Sequence, residues 1–352
     1  EDPFVFNPTE YYVYKKSMHG REVIVAFNKQ IPESEYGEDS RSNFAIYAFN
    51  IWDYYWHIFE GFPFAKYTIL FLDGPVTYPG AHGIGYEVEY PYQCCRPTCL
   101  GGSHPHEIFH GWNNGGNGGL NPEENIREKW IIEGFTNYYM ARTCSLLPYG
   151  IRSLQELDES FAKMEALTYY LENLKGTSDD ISLIEMGYKF ANTEKANHFY
   201  QKGCLVAYLL DEKLHQNGNN FDELLKYMYK KCDFGLKHYT SEDWLEGANA
   251  ITGKDFTQFF NNYVFGDTPL PVDENTECEF FVNNTPWYLI ADFISYVSKD
   301  GKCGGKQPCF SSIQQAINSA SSGSGIKISE GTYDGQIALS DSKALVLQGG
   351  WD

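Results

Sequence analysis

His106-Glu107-Ile108-Phe109-His110 is followed, 23 residues beyond its second histidine, by Glu133 in the run Trp130-Ile131-Ile132-Glu133-Gly134-Phe135-Thr136-Asn137-Tyr138-Tyr139. On a helix the i,i+4 spacing puts both imidazoles on one face, where two ring nitrogens can grip one metal ion. Glu107, one residue after the first imidazole, stays out of the coordination shell and turns toward the open position, where it can act as general base. Glu133 follows apolar residues at the start of a second predicted helix. A carboxylate there completes a two-His, one-Glu set and leaves the fourth position of a catalytic Zn²⁺ open.

Upstream, apolar and aromatic residues recur at helical spacing from Asn43 to Phe59, and Glu60-Gly61-Phe62-Pro63 ends that predicted helix before a strand-forming run, Tyr67 to Leu72. Gly83 to Tyr90 alternates, with Ile84, Tyr86, Val88 and Tyr90 on one face and Gly85, Glu87 and Glu89 on the other. A strand there presents two carboxylates together. HEIFHGW reads as helix, Asn113 to Gly119 as a glycine-rich loop and Glu128 to Ala141 as a helix, with further helical patterns through about Tyr263. A strand or turn is expected to direct His104 away from the metal ligands. His198 is expected in an ordinary polar contact, and Phe109 and Trp112 in the core.

After Pro271 the acidic stretch VDENTE leads into a Ser- and Gly-rich segment. Ile313, Ala316, Ile317 and Ala320 mark one short amphipathic helix, followed by the strand-like runs IKIS, QIAL and ALVLQ. The pattern resembles the start of a right-handed parallel β-helix, in which a helix caps the first rung. One rung cannot bury its own apolar face, so further rungs are expected beyond Asp352; a small β-appendage is the alternative.

The chain has 352 residues, more than one compact core usually organises. Hydrophobic residues at 42% suffice for a packed interior, and no apolar run approaches the roughly 20 residues of a membrane span. A formal net charge of −20 repels a phosphate backbone, so nucleic acid is excluded as a partner. Nine cysteines, with Cys94, Cys95 and Cys99 close together and then Cys303 and Cys309, point to disulfides in an oxidising, secreted or extracytoplasmic setting. A second zinc site at Cys94, Cys95 and Cys99 is the weaker reading, because no matching downstream pair follows. Glu1 at the start suggests a processed or trimmed segment.

HEIFHGWN followed by WIIEGFTNYY resembles the glycyl aminopeptidase family, relatives of the aminopeptidase N family within the gluzincins. Tyr200-Gln201-Lys202-Gly203 is similar to that family's YxKG segment, and Asp255 to Pro271 to the segment that closes its catalytic domain, so the resemblance spans roughly residues 43–272. It implies a thermolysin-like catalytic fold with His106, His110 and Glu133 as zinc ligands, Glu107 as base and Tyr200 as the hydroxyl that stabilises the oxyanion. It also implies a glutamate that binds the substrate's free α-amine. The family's GxMEN or GGLEH segment has only Gly83 to Glu89 as its nearest match, which leaves Glu87 or Glu89 for that role, with solvated acidic side chains on a strand as the alternative. The basic residues that follow HxWN in the family are replaced by the Asn113–Gly119 loop. The family's N-terminal β-domain is expected to lie before Glu1.

The expected class is therefore α+β: a thermolysin-like zinc peptidase domain over residues 1–272 with a mainly helical C-terminal lobe, a linker over 273–300 and a β-rich appendage over 301–352. The expected activity is Zn²⁺-dependent hydrolysis of a peptide substrate, with aminopeptidase, endopeptidase and inactive surface- or polysaccharide-binding variants to be separated. Nothing in the sequence sets the oligomeric state.

Overall fold

The computed structural model describes residues 10–30, 41–62, 65–71, 80–82, 86–89, 103–113, 122–146, 166–234, 237–276, 294–305, 308–320, 325–338 and 346–351. The chain divides into two compact units, Glu1–Cys144 with Asp158–Phe281 and Ser145–Leu157 with Val282–Asp352.

In the first unit β1 (Tyr11–Met18) and β2 (Arg21–Asn28) form an antiparallel hairpin. Its two turn residues, His19 and Gly20, have φ of 49° and 74°, the left-handed pair that a two-residue hairpin turn needs to match strand twist. Val23 to Phe27 are all buried, because β2 is flanked by β1 and by parallel β3 (Lys66–Phe71) and is covered on both faces. Such a strand reads as a continuous apolar run. Between them in sequence, α1 (Arg41–Phe59) buries Ala45, Ala48, Phe49, Trp52, Tyr55 and Phe59, the three-and-four spacing that marked it. Glu60, at φ 53°, ends the helix. β4 (Gly80–His82) and β5 (Tyr86–Glu89) complete a sheet of order β1-β2-β3-β5-β4. Residues 83–85 and 90 of the predicted strand lie outside the described residues.

The remainder of this unit is helical. α2 (Ser103–Asn113) carries HExxH and lies beside β4 and β5. α3 (Pro122–Arg127) leads to a π-helical turn, Trp130–Phe135, and α4 (Thr136–Leu146). The helix expected over 128–141 is therefore not one regular α-helix. After a further π-helical turn at Tyr170–Leu174 come α5 (Leu183–Phe190), α6 (Asn197–His215), α7 (Phe221–Lys231), α8 (Ser241–Thr252) and α9 (Thr257–Tyr263). Asn220 with Glu223, and Thr240 with Asp243, form capping boxes that satisfy the first amides of α7 and α8. No helix among the described residues is long and apolar enough to cross a membrane.

The second unit has β6 (Ile294–Val297), β7 (Cys309–Phe310), α10 (Ile313–Ser319), β8 (Gly325–Ser329) and β9 (Val346–Trp351) in an all-parallel sheet of order β7-β6-β8-β9. Val297, Ala316, Ile317, Ala320 and Ile326 form its core, and Cys303 is disulfide-bonded to Cys309. β6 falls inside the stretch read as linker. IKIS and most of ALVLQ are strands, but Gln336, Ile337 and Ala338 of QIAL are irregular. Their backbone finds a side chain instead of a neighbouring strand: Ala338 N donates to Gln314 Oε1 at 2.7 Å, and Gln314 Nε2 donates to Ala338 O at 3.0 Å.

Candidate metal centre and catalytic groups

Three residues of α2, Ile108, Phe109 and Trp112, are buried on the face away from the histidines and fix the helix's rotation. Phe109 stacks on Tyr139 at 4.7 Å, and Trp112 stacks on Phe59 at 5.7 Å while donating through Nε1 to Gly61 O at 2.7 Å. Tyr55 O–H donates to Pro105 O at 2.9 Å, tying the first turn of α2 to α1. The opposite face, with His106, Glu107 and His110, is thereby turned toward Glu133.

The Glu133 turn is wholly buried, so its backbone needs partners inside the protein. Asn113, the last residue of α2, supplies them: Nδ2 donates to Ile131 O at 3.0 Å, to Ile132 O at 3.3 Å and to Thr136 Oγ1 at 2.9 Å. One amide thus locks the helix bearing two candidate ligands to the turn bearing the third. Tyr239 O–H donates in turn to Asn113 Oδ1 at 3.2 Å and to its carbonyl oxygen.

The resulting cluster is tight. His106 Nε2 lies 3.1 Å from His110 Nε2, and each Nε2 lies 3.4 Å from Glu133 Oε2. Zn²⁺ bonds of about 2.0–2.1 Å in a tetrahedron require ligand-to-ligand edges of about 3.3–3.4 Å. The donor set therefore fits Zn²⁺ in chemistry and in spacing. Burial alone would raise the Glu133 carboxyl, but hydrogen bonds from His106 and His110 and the charges of His110 and Lys129 outweigh it and hold the carboxyl well below the usual range. Burial likewise works against a charged His106, while Glu133 and the Glu107 and Glu133 charges push its imidazole up, helped by the Asn137 side chain. An ionised carboxylate buried among imidazoles is a natural seat for a dication.

Tyr200 lies on α6, with its ring 6.2 Å from that of His106 and nearly parallel to it. Two glycines set that approach. A Cβ on Gly134 would meet Gly203 Cα at 2.6 Å, and one on Gly203 would meet Trp130 O at 2.7 Å, so α6 and the Glu133 turn touch backbone to backbone. Within Tyr200-Gln201-Lys202-Gly203, the tyrosine faces the cluster and the glycine makes this contact. Lys202 is buried, donating to Asp180 Oδ1 at 2.7 Å and to Ile181 O at 2.8 Å.

His106, Glu107, His110, Glu133 and Tyr200 are thus brought to one region. Glu87 and Glu89 stand on β5, which runs beside α2, at register positions opposite Ile69 and Phe71 of β3. Their side chains lie outside what the structure describes, as do residues 114–119 and Cys94, Cys95 and Cys99. His104 differs from expectation, since it belongs to the first turn of α2; two residues before His106 on a helix, its backbone position is on the opposite side. His198 is buried, with Nδ1 2.9 Å from Tyr169 O–H and its ring edge-on to Phe190. Sequence reading passed over Asn113, Asn137 and Lys129, whose Nζ lies 3.2 Å from Glu133 Oε1. The last two stand one turn on either side of Glu133, a spacing that could have flagged them.

No family model matches the sequence, and no curated protein does. Solved structures do match. An aminopeptidase N family protein from Idiomarina loihiensis aligns with a TM-score of 0.53 at 18% identity, over 74% of this chain and 48% of that one. An M1 zinc metallopeptidase from Deinococcus radiodurans aligns with a TM-score of 0.50 at 15% identity, over 75% and 53%, and a mutant of that enzyme bound to a Tyr-Ser-Ala substrate does so with the same values. The chain spans about half the length of these structures. Over about three quarters of its length this chain, of mixed helix and strand, shares its fold with that aminopeptidase N family protein and that M1 zinc metallopeptidase.

Proposed function

We propose that this protein is an extracytoplasmic zinc peptidase that removes residues from the free N-terminus of peptides. The observation that carries the reading is the convergence of two imidazole nitrogens and one carboxylate oxygen at 3.1–3.4 Å, beside Tyr200, in a zinc-metallopeptidase fold. His106, His110 and Glu133 would hold the ion. Bound Zn²⁺ would supply Lewis acidity, acidifying a coordinated water and polarising the scissile carbonyl.

The chain's own groups do the rest. Glu107, on the same helix as both histidines, takes the proton from water and returns it to the leaving amine, which makes one carboxylate serve both halves of the reaction. The Tyr200 hydroxyl donates to the carbonyl oxygen as negative charge develops there. Glu87 or Glu89 pairs with the substrate's α-ammonium, which restricts cutting to the N-terminus because an unpaired amine in a dry site costs several kcal/mol. Residues 1–272 form the catalytic part and 301–352 an appendage that also takes in β6 from the 273–300 stretch; the parallel order β7-β6-β8-β9 supports its reading as the start of a parallel β-helix.

The test compares a peptide set with free amines against the same set N-acetylated. Hydrolysis of the free-amine set alone is expected; cleavage of both would replace the aminopeptidase with an endopeptidase. Zinc occupancy with no hydrolysis of either set would remove the peptidase reading and favour a binding role for the appendage.

A further inference from the structure

Asp53 lies midway along α1 and is completely buried. An ionised carboxylate without solvent costs several kcal/mol unless a cation or strong donors face it. Two imidazoles do. His57, one helical turn on, places Nε2 3.8 Å from Asp53 Oδ2, and His19, from the β1–β2 turn 34 residues earlier, places Nε2 2.5 Å from Oδ1. The three donor atoms all lie within 4.8 Å of one another. The two separations, each to a different carboxylate oxygen, lie on either side of the edge of about 3.3 Å that a tetrahedral transition-metal site requires, so ring movements on the order of 1 Å would bring the donors onto one ion.

The imidazoles come from different directions and are held. Their planes are 89° apart with centroids at 5.2 Å, and the His19 ring is stacked on Trp56 at 4.8 Å with planes 3° apart. His19 also occupies a left-handed turn position, φ 49°, that costs a residue with a Cβ about 1–2 kcal/mol and favours Gly or Asn. The basic groups close by have other contacts: Arg21 donates to Phe62 O at 3.2 and 3.1 Å with its guanidinium over the Trp56 ring, and Lys16 Nζ lies 6.0 Å from the Phe49 ring. The site opens outward past His57, whose side chain is 35% exposed, which leaves a route for an ion and for water in its remaining positions.

We propose that His19, Asp53 and His57 form a second metal site, distinct from the His106 cluster, for a divalent transition ion of the Zn²⁺ class. Two imidazoles and one carboxylate suit Zn²⁺, Ni²⁺ or Cu²⁺ and disfavour Mg²⁺ and Ca²⁺, which prefer all-oxygen shells. The ion pins the hairpin turn to α1, whose Trp52 links the His19 ring, at 6.4 Å, to Trp112 of α2, at 5.6 Å. It is a structural clamp behind the HExxH helix, and it stands whether or not the protein is a peptidase.

The test is titration of metal-free protein with Zn²⁺ by calorimetry, with bound metal counted after gel filtration. The His19→Asn/His57→Gln variant is compared with the parent, Asn being chosen because it tolerates the left-handed turn. The double variant should bind one fewer equivalent at unchanged far-UV circular dichroism. His57→Gln alone, at an exposed position that does not endanger folding, should weaken one equivalent by tenfold or more. Co²⁺ substitution should show the same loss in its visible absorption. Equal stoichiometry and affinity in parent and variants would overturn the proposal.

Discussion

Gly203→Ala probes the contact that holds Tyr200 beside the His106, His110 and Glu133 cluster. The added Cβ would lie 2.7 Å from Trp130 O and 3.1 Å from Gly134 Cα, so it falls about 0.7 Å inside the 3.4 Å lower limit of ordinary contact. Both neighbours are backbone and cannot rotate away. Overpacking of this kind costs about 1–3 kcal/mol. Alanine in a helix interior recovers about 1 kcal/mol relative to glycine, so a net loss of up to about 2 kcal/mol is expected. The larger consequence is positional. Relief of the clash moves α6 away from the Glu133 turn, and Tyr200, one turn upstream of Gly203, moves with it. A misplacement approaching 1 Å at a reacting centre can cost about 10²-fold, so kcat/KM should fall roughly 10- to 100-fold. Urea unfolding gives the first quantity and steady-state hydrolysis of a free-amine peptide the second, with Gly134→Ala as the reciprocal test. A Gly203→Ala protein as stable and as active as its parent would mean that the Gly203–Trp130 contact does not set the position of Tyr200.

Tyr200→Phe removes the proposed oxyanion donor and should lower kcat by about 10²- to 10³-fold with KM little changed, as read from full saturation curves. Asn113→Ala leaves the carbonyls of Ile131 and Ile132 and the Thr136 hydroxyl without the Asn113 amide; Zn²⁺ affinity should fall about 10- to 100-fold in competition with a chromogenic chelator. Asp179, 2.6 Å from Lys195 Nζ and 3.0 Å from Lys189 Nζ, is lowered to about 2 by those hydrogen bonds, against about 3.9 in an unfolded chain. As pH falls the unfolded chain takes up this proton first, so the stability Asp179 provides is present above about pH 4 and disappears toward pH 2. The melting-temperature gap between parent and Asp179→Asn should therefore close over that window; a constant gap would contradict the assignment.

What could be read in advance was whatever local period or spacing specifies. α1 announced itself through apolar residues three and four apart, β3 through a β-rich run, and α2 through histidines whose spacing only a helix makes useful. The form of the Glu133 turn was not legible, because its π-helical geometry depends on distant partners such as Asn113 rather than on propensity. Gly134 and Gly203 meet across 69 residues of chain, and only a packed backbone shows why both lack a side chain. QIAL has the composition of a strand, yet the Gln314 amide takes the bonds of Ala338. His19, Asp53 and His57 were silent for a similar reason: i,i+4 Asp and His on a helix is commonplace, and the third donor comes from a different element.

One comparison decides whether His106, His110 and Glu133 hold a zinc ion with which Glu107 hydrolyses peptides. Zinc-loaded parent and Glu107→Gln proteins are assayed on a free-amine peptide alongside their zinc content. Equal zinc at this site is expected in both proteins, with hydrolysis by the parent and a loss of about 10²- to 10⁴-fold in the variant. Undiminished hydrolysis by Glu107→Gln, or a parent that carries zinc at this site and cleaves nothing, would contradict that assignment.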